Sequence, residues 1–215
     1  MKRITLFFGH YGSGKTNIAI NYALHLKKQF DKVAIADIDI VNPYFRTKDS
    51  EAELKKAGIK VISLPFANTN VDLPALPPEV YGLVQDKTTV AVMDIGGDDR
   101  GAYALGRYTP YLLEENDYEA VFVANFYRPL TKTAEEAFEV LQEIEGACGI
   151  KMTAIVNNSN IGVETTEADV KKTDAEAQKL SQIAGIPVIF TSVNESIARN
   201  STHDYFPLTL QKKPF

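Results

Sequence analysis

Short, almost wholly apolar runs recur along this chain at Ile4 to Phe8, Val33 to Asp37, Ile59 to Leu64, Thr89 to Asp94, Ala120 to Asn125, Met152 to Asn157 and Val188 to Ser192. They are rich in β-branched and aromatic residues and lack polar alternation, the pattern of strands buried on both faces. Helical periodicity fills the gaps. Ala19, Ala23, Leu26 and Phe30 recur at spacings of three and four, and Thr133 with Glu136 forms a capping box ahead of "AEEAFEVLQEIEG". The stretch "TTEADVKKTDAEAQKLSQIAG" opens on hydroxyls and closes on Gly185, with Pro187 beyond, which predicts one helix. Strands alternating with helices predict an α/β fold of three layers, α/β/α, around a mostly parallel sheet of about seven strands. The rhythm is unbroken, so a single domain is expected over residues 1–215, with its motif-bearing core in 1–200 and a non-helical tail in 201–215. Ligands in such sheets sit beyond the carboxyl ends of the strands.

Beyond the first strand stands Gly9-His10-Tyr11-Gly12-Ser13-Gly14-Lys15-Thr16, which meets G-x-x-x-x-G-K-[ST] at every fixed position. The glycines let successive N–H groups turn inward around phosphates, and a helix starting near Lys15 adds its positive dipole end. In this pattern Lys15 reaches the β and γ phosphates and the Thr16 hydroxyl ligates magnesium. Gly9, His10, Gly12, Ser13, Gly14, Lys15 and Thr16 are therefore the expected phosphate cradle of a P-loop NTPase fold.

Two acidic strand ends follow. In "VAIADIDIVNPYFR" the carboxylates Asp37 and Asp39 are two apart; Asp37 reads as holding Mg2+ through water and Asp39 as orienting an attacking water. "VAVMDIGGDDR" ends its strand on Asp94, the position that holds magnesium in P-loop enzymes, and Gly97 is placed to donate its N–H to a γ-phosphate. Lys15, Asp39 and Asp94 are the expected catalytic set. Asn157 and its neighbour Asn158, in "AIVNNSNIG", are the expected base-binding residues. Guanine-reading proteins carry N-K-x-D here, but the fourth position is Asn160, and an amide cannot accept both guanine N–H groups. ATP is favoured over GTP. Arg46, Arg100, Arg107 and Arg128 fall near segments that follow strands. They are candidates for an anionic substrate or for phosphoryl-transfer charge, set against surface pairing with Asp49, Asp98, Asp99 or Glu115.

Composition narrows the partners. The net charge of -5, with Lys and Arg scattered, gives no basic patch for nucleic acid. One cysteine, Cys148, permits neither an internal disulfide nor a Cys/His metal cluster and suits a reducing compartment. No segment reaches the roughly 18 apolar residues of a membrane span. A cytoplasmic protein is expected.

Together, the P-loop at residues 9 to 16, Asp37 and Asp39, Asp94 to Gly97, the Asn157 strand end and "GIPVIFTSVNESIA" resemble the MinD/ParA/CobQ/CobB class of P-loop nucleotide-binding proteins. The resemblance covers about residues 1 to 200. It implies Mg-ATP binding, slow hydrolysis and a homodimer formed across two nucleotides. It also implies action on a protein partner or on a small anionic substrate. His10 departs from the class, which places there a lysine that reaches into the partner subunit. The expectation is an ATPase acting as a nucleotide-dependent switch. The alternatives are an ATP-dependent amide-forming ligase or small-molecule kinase, and an ATP-binding module without turnover.

Overall fold

The computed structural model describes residues 1–38, 50–63, 78–96, 105–106 and 108–210. Among them, eight strands form one parallel sheet in the order β3-β2-β4-β1-β5-β6-β7-β8. The strands are β1 Ile4–Phe8, β2 Val33–Ile38, β3 Lys60–Ser63, β4 Val90–Ile95, β5 Tyr118–Ala124, β6 Ala154–Asn157, β7 Val188–Asn194 and β8 Phe206–Leu208. The helices are α1 Lys15–Lys27, α2 Glu51–Lys56, α3 Pro78–Gln85, α4 Thr109–Glu115, α5 Ala134–Cys148, α6 Glu167–Lys172, α7 Asp174–Ala184 and α8 Glu195–Asn200.

Two apolar layers explain the uniform runs. Ile4, Leu6 and Phe8 of β1 point to one face, with Val80 and Leu83 of α3, Leu112 of α4, Leu141 and Ile144 of α5 and Leu180 of α7. Phe7 points to the other, with Ile18, Ala19, Ala23 and Leu26 of α1 and Leu54 of α2. A strand between two apolar layers needs no polar alternation. The expected three-layer α/β architecture is the observed one.

Two expectations change. The single helix predicted after residue 165 is two helices that meet at Thr173. Its hydroxyl donates to the Val170 carbonyl at 2.7 Å and accepts from Asn157 Nδ2 at 3.0 Å, so a side-chain bond competes with the helix ladder. The Thr166–Asp169 capping box starts the first helix, and left-handed Gly185 ends the second. The sheet also gains β8 from the tail. Pro207 sits in it opposite Val193 and is tolerated because β8 is an edge strand. The Thr133–Glu136 capping box of α5 forms as its sequence predicts.

Candidate functional site

The sheet order makes β1 the pivot of the site. β4 and then β2 lie on one side of it, β5 and then β6 on the other, so crevices open at its carboxyl end where the chain turns back on itself. Residues Gly9 to Gly14 occupy that end and lead directly into α1. Gly14 has φ 86, a left-handed conformation, and a Cβ there would strike Asn158 Nδ2. A Cβ at Gly9 would lie 2.7 Å from both Ser13 Oγ and the Val123 carbonyl. Only glycine fits either position. The loop closes on itself through Ser13 N–H donating to the His10 carbonyl at 3.0 Å. α1 begins with no side-chain cap and no acid in its first turn, so the positive end of the helix faces the loop unopposed. Lys15 and Thr16 are buried at this junction.

On the β4 and β2 side the groups are acidic. The Thr16 hydroxyl donates to Asp94 Oδ2 at 2.5 Å. Asp94 is fully buried and pairs in register with Asp37 of β2, itself buried, and with Phe7 of β1. Register partners in a parallel sheet share a face, so both carboxylates lie at one level on the face that α1 covers. A hydroxyl beside two carboxylates is a hard-oxygen set that suits Mg2+. Asp39, Gly97, Arg46, Arg100 and Arg107 lie outside the described residues. Among the described residues, Glu115, a proposed partner of the candidate arginines, is held by Arg3 at 2.7 Å and by Lys87 at 2.6 Å.

On the β5 and β6 side the buried groups are neutral amides and hydroxyls. Asn158 Nδ2 donates to the Ser13 carbonyl at 2.7 Å, and its Oδ1 accepts from the Ser192 hydroxyl at 2.7 Å. The P-loop is thereby tied to β7. Asn157 is fully buried; its Nδ2 donates to Thr173 and its Oδ1 accepts from the Ser159 N–H and hydroxyl. Asn160 Nδ2 donates to the Asn158 carbonyl and its Oδ1 accepts from the Gly162 N–H. The two asparagines expected to read a base thus spend their side chains on the frame. Of the two, Asn158 is the one bonded to the phosphate loop.

Asn125 adds to the site, and the candidate Arg128 is placed in it. Asn125, the residue after β5, is 1% exposed; its Oδ1 accepts from Tyr127 N–H at 3.1 Å and from Asn160 N–H at 3.4 Å, while its Nδ2 has no hydrogen-bond partner. Its place at the end of a buried strand was the signal in the sequence. Arg128 follows it, and its Nε donates to the Gly12 carbonyl at 2.9 Å. Among the described residues no carboxylate pairs with Arg128. His10 is half-buried, with Nδ1 3.0 Å from the Tyr11 carbonyl. Among the described residues no group of three His, Cys, Asp or Glu side chains could hold a metal ion, and no helix is long and apolar enough to cross a membrane.

No protein-family model matches the chain, and no curated protein matches it in sequence. Solved structures match its fold. The signal recognition particle receptor FtsY from Elizabethkingia anophelis in complex with GDP aligns with TM-score 0.60 at 17% identity, over 90% of this chain and 58% of that one. Chloroplast FtsY from Physcomitrella patens aligns with TM-score 0.61 at 18% identity, over 92% and 60%. The signal recognition particle 54 kDa protein from Aeropyrum pernix in complex with GDP aligns with TM-score 0.55 at 16% identity, over 91% and 42%. This chain spans about three fifths or less of the length of these structures. The likeness establishes the α/β P-loop fold; the narrower MinD/ParA/CobQ/CobB resemblance rests on the motifs alone.

Proposed function

We propose that this protein binds Mg-ATP at the Gly9–Thr16 loop, hydrolyses it slowly and uses the nucleotide as a switch on a protein partner. The observation that carries the reading is the junction of loop and α1: buried Lys15 and Thr16 at an uncapped helix start, with Thr16 bonded to Asp94. An uncapped helix end beside a buried lysine favours a polyanion. Thr16 would hold Mg2+ directly, with Asp37 and Asp94 holding it through water, and the ion would neutralise charge on the terminal phosphates. Lys15 would bind those phosphates, Gly97 would donate to the γ-phosphate and Asp39 would orient the attacking water.

Adenine is the proposed base. The segment Asn157 to Gly162 contains no carboxylate, whether the reading position is Asn160 or its neighbour Ile161. An amide at Asn160 cannot accept both guanine N–H groups as a carboxylate does. GDP stands in the names of two of the structural neighbours, so competition is the direct test. Calorimetry with ATP and with GTP should show the tighter affinity for ATP, lost in Lys15→Ala; unchanged affinity in that variant sinks the reading. ADP release raised by a protein rather than by small carboxylates marks the switch over the ligase.

A further inference from the structure

Arg128 is the one candidate arginine among the described residues, and its position is specific. Its turn is built by Asn125: the Asn125 carbonyl accepts from Arg128 N–H at 3.1 Å and from the Thr131 hydroxyl at 2.7 Å. Tyr127, next to it, donates its hydroxyl to the Asp169 carbonyl at 2.9 Å. The turn is also stitched to the loop after β6, because Phe126 N–H donates to Ser159 Oγ at 3.0 Å and Asn160 N–H to Asn125 Oδ1. From this frame the arginine side chain lies along the P-loop, with Cδ and Nε each 3.7 Å from where a Gly12 Cβ would stand.

The side of β1 on which this happens decides what the guanidinium meets. Thr16, Asp94 and Asp37 mark the β4 and β2 flank as the metal end of the site. A Mg2+ held there would neutralise charge on the terminal phosphates, so that flank would hold the far end of the triphosphate. Arg128 comes from the opposite flank, between the P-loop and the Asn158–Asn160 loop. Its Nε is engaged by Gly12, and among the described residues Nη1 and Nη2 meet no acceptor. Arg128, half-buried, is thus held on the flank by which the nucleoside would leave the phosphate cradle.

We propose that Arg128 is a nucleoside clamp. Anchored through Nε to the P-loop, it presents the flat guanidinium and its two Nη groups to the base and sugar of the bound nucleotide, a purine nucleotide on the reading above. It does not serve as a γ-phosphate cation. A planar, weakly hydrated cation suits an aromatic face, which an ammonium does not match.

The test compares three ligands, ATP, ADP and inorganic tripolyphosphate, each with Mg2+, in the wild type and in Arg128→Ala by calorimetry. A clamp predicts that ATP and ADP lose affinity alike, by about tenfold, while tripolyphosphate binds as in the wild type and so reports an intact loop. An equal loss for tripolyphosphate would make Arg128 only a brace of the loop and overturn the proposal. Loss for ATP with ADP intact would place the guanidinium on the γ-phosphate and overturn it as well, as would no change for any ligand. This inference rests on the nucleotide-binding reading. A wild type that binds none of the three overturns both, whereas ATP binding that needs Lys15 and ignores Arg128 overturns this inference alone.

Discussion

The two flanks of β1 reach the same loop with opposite chemistry. On the β4 and β2 side stand buried carboxylates and a hydroxyl, Asp94, Asp37 and Thr16; on the β5 and β6 side the buried groups Asn125, Asn157, Asn158, Ser159 and Ser192 are neutral, and the charged Arg128 lies nearer the surface. The buried carboxylates gather where the proposed ion would sit, because a buried carboxylate costs several kcal/mol without compensation. Position is kept by amides, which offer donor and acceptor together and so satisfy one another in a buried network. Asn158 shows the economy of this: one side chain takes the Ser13 carbonyl on one atom and the Ser192 hydroxyl on the other.

The sharpest way to break this division is at the point where the amide flank meets the loop. Gly14→Ala forces a side chain into a left-handed position and against Asn158; nucleotide affinity measured by calorimetry should fall by about a hundredfold. Near-normal binding would show that the loop is not pinned there. Asp94→Asn tests the acidic flank: affinity for Mg-ATP should drop roughly twentyfold, while binding in the presence of a chelator stays as it was. If both conditions lose affinity equally, Asp94 is structural rather than metal-directed.

A smaller effect is expected from Asn158→Ala, which strands the Ser13 carbonyl and the Ser192 hydroxyl at a loss of about 1.5 kcal/mol. Urea denaturation would measure it, and the Mg2+ dependence of binding should not move. The division also predicts which contacts feel pH. The amide flank carries no titrating group in Asn157, Asn158 or Ser192, so the cost of Asn158→Ala should be the same at pH 7 and at pH 4. Glu115, at the opposite pole of the sheet, behaves differently. Arg3 donates Nε and Nη2 to its two oxygens at 2.7 Å each and holds its carboxyl below the usual glutamate range, against the upward push of burial. A lowered folded pKa means the contribution is complete above about pH 4.3 and is lost as pH falls through the folded value. Wild type should exceed Glu115→Gln by about 1 kcal/mol at pH 7, and acid should shrink the gap; a constant gap would remove Glu115 from the account.

Much of the site was legible because its signals are local. Gly9, Gly12, Gly14, Lys15 and Thr16 are neighbours in the chain, and the backbone they require is written by the residues that need it. Asp94 was legible as the last residues of a buried run. The amide flank was not: Asn158 meets Ser13 across 145 positions and Ser192 across 34, and no spacing in the sequence records those bonds. Arg128 stood among four arginines of equal promise until its Nε was found on Gly12.

By itself, then, the sequence determined seven of the eight strands, the capped start of α5 and the glycine loop before α1. Apolar runs, capping residues and left-handed glycines act within a few bonds of where they are written. Tertiary structure decided three things. It broke the helix at Thr173 by offering that hydroxyl to Asn157, and it recruited Phe206–Leu208 as an edge strand despite Pro207. It also set the Asn157 side chain on Thr173 and Ser159 and the Asn158 side chain on Ser13 and Ser192. Each outcome depends on hydrogen-bond partners that only the packed sheet brings within reach.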